Sequence, residues 1–345
     1  MNKCLFGLSG AFLVAVLLAS VLTGRTEGTL PAFLGEKTGP RIFKAASEVF
    51  DSLSEDQRKI ALHEYSSEER FNWHFIPRDR KGIPLKDLNE SQRQKVKGLL
   101  SASLSETGAR KAQEVMSLED ILREMEGPER KFPRDPFLYH VSFFAKPSKE
   151  GRWGWRLEGH HLSFNFTLKG EEVLSSTPAF YGANPAIVRE GSKKGLRVLG
   201  PLEDVARDLV TSLDADQSKA CKGEEGGAVP EEVPGTEKPR YSGPYPAGVG
   251  AEKLTAAQKK VLQKLIHEYT QNLPQELAEA YDKENGENLQ DVHFAWRGGV
   301  KPYEPHSYLV HGPAFVINYT NTQNNAAHVH SCLRRLKGEF GLEGN

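Results

Sequence analysis

Cysteine is scarce in this chain: three residues in 345, one of which, Cys4, lies in an N-terminal leader. There is no C-x-x-C and no thiolate metal motif, which excludes a zinc ribbon and a dithiol redox site. Cys221 and Cys332 remain, and their spacing leaves open a disulfide or two free thiols. An excess of either charge is also missing. Lys and Arg number 45 against 46 Asp and Glu, a net charge of −1, so no field favours a nucleic-acid partner. The glycine signatures of a Walker phosphate loop, a dinucleotide fold and a serine nucleophile elbow are all absent.

Long apolar runs are confined to Leu5–Leu22. Lys3 supplies a positive end before this run, and small residues around Thr23-Gly24 follow it. The pattern predicts a signal peptide over 1–24 and an exported protein, with an uncleaved anchor as the alternative. No cysteine stands where a lipid would be attached. After cleavage no stable membrane span is expected.

The remainder, with hydrophobic content of 38% and charged content of 26%, suits a globular core. Helices are predicted over Arg41–His63, Leu88–Leu104, Met116–Met125, Leu202–Leu213 and Thr255–Tyr269. Ser54-x-x-Gln57 and Thr255-x-x-Gln258 read as capping boxes, and Gly127-Pro128 as a helix stop. Leu138–Phe144, Trp153–Leu168, Val292–Trp296 and Tyr308–Tyr319 read as strands. Gly223–Gly250, crowded with Gly, Pro and Glu, reads as a linker.

Two strand-like stretches align without a gap when Gly159 is set on Gly312. Asn165 then falls on Asn318, Thr167 on Thr320 and Trp155 on Tyr308. The expected fold is therefore α+β and internally duplicated. Two pseudo-symmetric halves, 25–222 and 251–345, each run from helices into antiparallel strands and share one core, with the linker 223–250 between them.

Candidate chemistry gathers beside the repeated strand. In an extended strand, residues two apart share a face, so Glu158 and His160 are expected to project together. His328-x-His330 offers two more imidazoles. The expected metal set is His160, His328, His330 and Glu158, with His161 and His311 as alternates. Imidazole and carboxylate suit one divalent zinc, iron, manganese or copper ion. Glu158, Arg156 and Arg334 are the candidate catalytic and substrate-holding groups. Trp73, His74 and Arg80, with Arg78, are the candidate pocket. Histidines that only pack are the competing reading for each position alone. The function expected is a metal-dependent hydrolase or oxidoreductase. The alternative is a non-catalytic binding module for a small molecule or a cell-envelope component.

Asn72-Trp73-His74-Phe75-Ile76-Pro77, the Trp153–His161 stretch, Thr177-Pro178-x-Phe180-x-Gly182-Ala183-Asn184-Pro185, and Asn321-Thr322-Gln323-Asn324-Asn325 through His328-x-His330 form a set. They resemble the exported-protein family known as domain of unknown function 3500, over nearly all of the chain after the leader. The resemblance implies a family without a settled activity. The family pattern more often has acidic residues at the positions of Asn318 and Thr320, Asn at Ala327 and Trp at Leu333. These departures imply a weakened or respecialised member.

Overall fold

The computed structural model describes residues 37–223, 229–284 and 289–342, all within one compact unit. The leader lies outside these residues. Among the described residues no helix is long and apolar enough to cross a membrane.

The fold is α+β, with helices on a large mixed sheet. The helices are α1 (Thr38–Ser52), α2 (Glu55–Ala61), α3 (Glu90–Ser103), α4 (Glu106–Glu126), α5 (Gly200–Thr211), α6 (Ala215–Lys222), α7 (Ala256–Thr270) and α8 (Gln275–Glu284). The strands of the first part are β1 (Leu62–His63), β2 (Ile83–Pro84), β3 (His140–Phe144), β4 (Arg152–Gly159), β5 (Leu162–Lys169), β6 (Glu172–Ser175) and β7 (Ala179–Ala183). Those of the second are β8 (Val249–Gly250), β9 (His293–Gly298), β10 (His306–His311), β11 (Phe315–Gln323) and β12 (His328–Arg335). They line up as β1-β3-β4-β5-β7-β12-β11-β10-β9-β8, with β2 on β3 and β6 on β5. The first and last parts of the chain meet where β7 pairs with β12, placing Gly182 opposite His330.

Alternation along the strands gives the sheet two unlike faces. Trp153, Trp155, Leu157, Phe164, Phe166, Tyr308, Phe315, Ile317, Tyr319, Val329 and Leu333 join the helices in one apolar core. Each Leu, Ile, Val or Phe among them, fully buried, contributes about 1.5–3 kcal/mol. The opposite face carries Arg156, Glu158, Asn165, Asn318, His330 and Arg334, which are buried as well. Two irregular segments cover it, residues 64–82 and 229–247. The second falls within the stretch read from composition as a linker. Its Val233 packs with Trp73, Phe75, Phe180 and Cys332.

Local signals for helix ends match the structure. Ser54 and Thr255 form reciprocal capping boxes with Gln57 and Gln258, and Gly127 ends α4 at φ 66°. Two further boxes occur, Asn89 with Gln92 and Asp214 with Gln217. The capping glutamines join in pairs. Gln57 and Gln92 exchange side-chain amide hydrogen bonds at 3.2 and 2.7 Å, and Gln217 and Gln258 do so at 3.0 and 2.9 Å. In each pair one amide also donates to a helix-end carbonyl, Ser52 O or Ser212 O, at 2.8 Å.

The stretches read as the single strands Trp153–Leu168 and Tyr308–Tyr319 are hairpins. The first reverses at His160-His161, where Gly159 pairs with Leu162. The second reverses at 312–314, where His311 pairs with Val316. Cys221 and Cys332 are free, buried thiols, so the disulfide alternative falls away.

Candidate metal centre

The hairpin tip that holds His160 and His161 is built from its neighbours. A Cβ on Gly159 would lie 2.3 Å from the Tyr139 ring, so only glycine fits beneath that ring. Tyr139 Oη donates to His160 O at 2.8 Å. His161 takes the left-handed conformation, φ 65°, which non-glycine residues adopt rarely. Its backbone is held on both sides: His161 N donates to Phe75 O at 2.9 Å, and Gly182 N donates to His161 O at 2.8 Å.

The other two imidazoles come from β12. Between Thr320 and Gln323 the β11–β12 register shifts, leaving Gln323 opposite His328 and Thr320 opposite His330. Asn324, Asn325 and Ala326 all have positive φ in this turn, and Asn321 Oδ1 accepts the His328 backbone N–H at 3.1 Å. Pairing of β12 with β7 then sets His330 beside His161. A Cβ on Gly182 would stand 2.9 Å from the His161 ring, so this glycine leaves the imidazole its space.

Three Nε2 atoms converge as a result. His161 and His328 are 2.7 Å apart, His328 and His330 3.1 Å, and His161 and His330 3.3 Å. A tetrahedral ion with bonds of about 2.0–2.1 Å sets its ligand nitrogens about 3.3 Å apart. The circle through the three observed atoms has a radius of about 1.8 Å, inside the bond length of about 2.0–2.1 Å, so the three nitrogens would fit as ligands of one ion. Hydrogen bonding alone satisfies the triangle poorly, because each nitrogen is either a donor or a lone pair, whereas a cation accepts all three lone pairs at once.

The electrostatics keep two of those lone pairs available, on His161 and His328. Burial, reinforced by neighbouring imidazoles, holds His161 well below the ordinary histidine range. Burial, with His330 beside it, pushes His328 down to about 3. His330 Nδ1 lies 2.7 Å from Glu232 Oε1. A proton on Nδ1 donated to this carboxylate leaves Nε2 bare, as in carboxylate–histidine–metal arrangements. Phe75 and Phe180 flank the His330 ring, with centroids 4.5 and 5.8 Å away.

His160 stacks on His161 at 3.8 Å between centroids. With His161 and His328 it forms a looser set, its candidate ligand atoms lying within 4.8 Å of one another. Its Nδ1 lies 2.5 Å from Glu119 Oε1 and 3.2 Å from Arg134 Nη1, which leaves only Nε2 for an ion. Burial raises the Glu119 carboxyl to about 8, against the lowering effect of Arg134. The tight trio is therefore His161, His328 and His330, and His160 stands behind it.

The other residues singled out from sequence lie elsewhere. Because the chain turns at 160–161, strand alternation does not carry Glu158 to the side of His160. The Glu158 carboxylate instead binds Arg80 Nε at 3.0 Å and the His74 backbone N–H at 2.9 Å, with Arg156 Nε at 3.6 Å. Arg156 reaches Glu69 at 2.5 Å. These buried charges anchor the 64–82 segment to the sheet. Arg334 forms a buried pair with Glu339 and donates to Gly235 O and Lys238 O. Four residues along β12, it is roughly 13 Å from His330. His311 stacks on His293 at 5.1 Å, with its Nε2 3.0 Å from Pro246 O. Trp73 is fully buried under Arg334, and His74 Nδ1 accepts the Phe75 backbone N–H. The expected pocket loop is a packed cover that supplies Phe75 to the site.

Glu232, Glu119, Phe75 and Gly182 were not singled out from sequence for this centre. Glu232 is 98 residues from His330, and the composition around it reads as linker. Glu119 gives a weak signal as an acid on the apolar stripe of a helix.

The sequence profile of the family described as protein of unknown function (DUF3500) matches residues 36–342, and the chain belongs to that family. No curated protein and no solved structure matches it.

Proposed function

We propose that this DUF3500 protein is a metal-dependent hydrolase, its metal held by His161, His328 and His330. The convergence of three Nε2 atoms within 3.3 Å carries the reading. Three neutral imidazoles leave the full charge of a divalent ion undiminished. An ion with three protein ligands keeps a position for water and lowers that water's pKa toward about 7. Zinc suits this set best. With Glu158 committed to Arg80, no carboxylate among the described residues completes the two-histidine, one-carboxylate arrangement of non-haem iron oxygenases, which favours hydrolysis over oxidation. His160, with Glu119 on its Nδ1, stacks on His161 behind the trio.

Export is part of the proposal, supported by the Leu5–Leu22 run behind Lys3. So is internal duplication. The two glutamine clasps, Gln57–Gln92 and Gln217–Gln258, tie equivalent helix pairs, α2–α3 and α6–α7. The strand order β3-β4-β5-β7 is mirrored by β9-β10-β11-β12. This correspondence starts the second half at α5, ahead of the boundary suggested by composition. Only one half provides the His160-His161 tip; Pro313 and Ala314 stand in the other, so the metal reading gives one asymmetric centre.

The test is turnover of a panel of activated carboxylic and phosphate esters by chelator-treated full-length protein, before and after one equivalent of Zn(II). Zinc-dependent hydrolysis that is lost in His328→Ala is expected. Zinc binding with no zinc-dependent turnover of any ester would favour the non-catalytic binding module.

A further inference from the structure

We propose that Glu232 is the positioning residue of the metal centre, and that the segment 229–238 which carries it is a clasp linked to metal occupancy. The proposal rests on the three-histidine reading above. His330 is held at both ring nitrogens, with Nε2 in the trio and Nδ1 2.7 Å from Glu232 Oε1. When a cation takes the Nε2 lone pair, the ring proton resides on Nδ1 and is donated to the carboxylate. The cation polarises that N–H and strengthens the charge-assisted bond, while the carboxylate makes Nε2 a better ligand. Linkage of this kind is reciprocal: whatever metal adds to the clasp, the clasp adds to metal affinity.

The carboxylate is itself fixed in place. Gln323 Nε2 donates to Glu232 Oε2 at 3.0 Å, and Val233 N donates to Oε1 at 2.8 Å. Gln323 stands opposite His328 in the β11–β12 register, so Glu232 is tied to β11 as well as to His330. Val233 enters the cluster of Trp73, Phe75 and Phe180, and the Phe75 ring lies against His330. Further along, Gly235 O and Lys238 O accept from Arg334, and Glu237 N donates to Trp73 O. On the other side Glu231 pairs with Arg297. These outer attachments do not involve the trio, so the Glu232 contact is the one that metal alters. The Glu232 side chain is 44% exposed, and its exchange for Gln leaves the core intact.

The experiment uses the chelator-treated full chain and Zn(II), with affinity read by competition against a chromophoric chelator. Hydrogen exchange of the 229–238 peptide is followed with and without zinc. Zinc is expected to slow exchange in this peptide in the wild type. Glu232→Gln is expected to weaken zinc about 10–100-fold and to lose most of the zinc-dependent protection. Glu231→Gln, on the Arg297 side, keeps wild-type affinity. Equal zinc affinity in Glu232→Gln, or peptide exchange indifferent to bound zinc, overturns the clasp while leaving the histidine trio standing. A wild type that takes up no zinc overturns both.

Discussion

His161 shows how one backbone angle decides a site. Its left-handed conformation costs on the order of 1–3 kcal/mol for a non-glycine residue. The hydrogen bonds to Phe75 O and from Gly182 N hold it there, and the ring then faces the two histidines of β12. Behind it, Glu119 is surrounded by His160, Arg134, Glu126, Asp120, Asp135 and Tyr139. Its folded pKa, about 8, lies above its unfolded value near 4.5. The stability tied to its proton is therefore full below about 4.5 and is lost as pH rises toward 8. The buried His160, His161 and His328 are depressed, so they raise stability with pH only up to their unfolded value of 6.5. Between pH 6.5 and 8 the Glu119 slope stands alone among these four. In chelator-treated protein, urea midpoints of the wild type should fall across this window, with a limiting slope of about 1.4 kcal/mol per pH unit, and those of Glu119→Gln should be flatter. Parallel profiles would show that Glu119 is already ionised. At this scale the residue types were legible, and His328-x-His330 was found directly. His161 ranked below His160 because alternation presumed an unbroken strand.

Elements were legible where side chains meet their own backbone. Ser54, Thr255 and Gly127 mark helix ends because capping is a contact over two to four residues. The hairpin tips were hidden because neither carries the usual Asn-Gly or Asp-Gly signal. At His160-His161 the turn is imposed by Tyr139, Phe75 and Gly182, all distant in sequence. The 229–247 segment was hidden for a similar reason. Its Gly, Pro and Glu composition suits a free linker, yet its carbonyls and carboxylates serve Arg334 and His330. The glutamine clasps allow a test at this level. Gln258→Ala removes both bonds to the Gln217 amide, the donor to Ser212 O and the acceptor of the Thr255 N–H, and should cost about 1–3 kcal/mol in urea denaturation. Gln92→Ala should do the same for Gln57, and the double variant should lose the sum to within about 0.5 kcal/mol. A loss under about 0.5 kcal/mol in either single variant would mean that the clasps are ornamental.

On the scale of the whole molecule, the sheet turns two distant segments into one centre. His161 and His328 are 167 residues apart in sequence, yet their Nε2 atoms are 2.7 Å apart because β5, β7 and β12 are neighbours. That juxtaposition depends on strand order, and strand order was not readable from periodicity. The α+β class and the presence of histidines near the Trp153–Leu168 stretch were readable. The grouping of Glu158 with them was not, since it depended on which way the chain left Gly159. The measurement that bears most directly on this account is calorimetric titration of Zn(II) into chelator-treated full-length protein, with His161→Ala, His328→Ala, His330→Ala and His311→Ala beside the wild type. The account expects one ion per chain in the wild type and in His311→Ala, with that binding lost in the other three. No uptake by the wild type, or binding unchanged when His161 or His328 is removed, would contradict it.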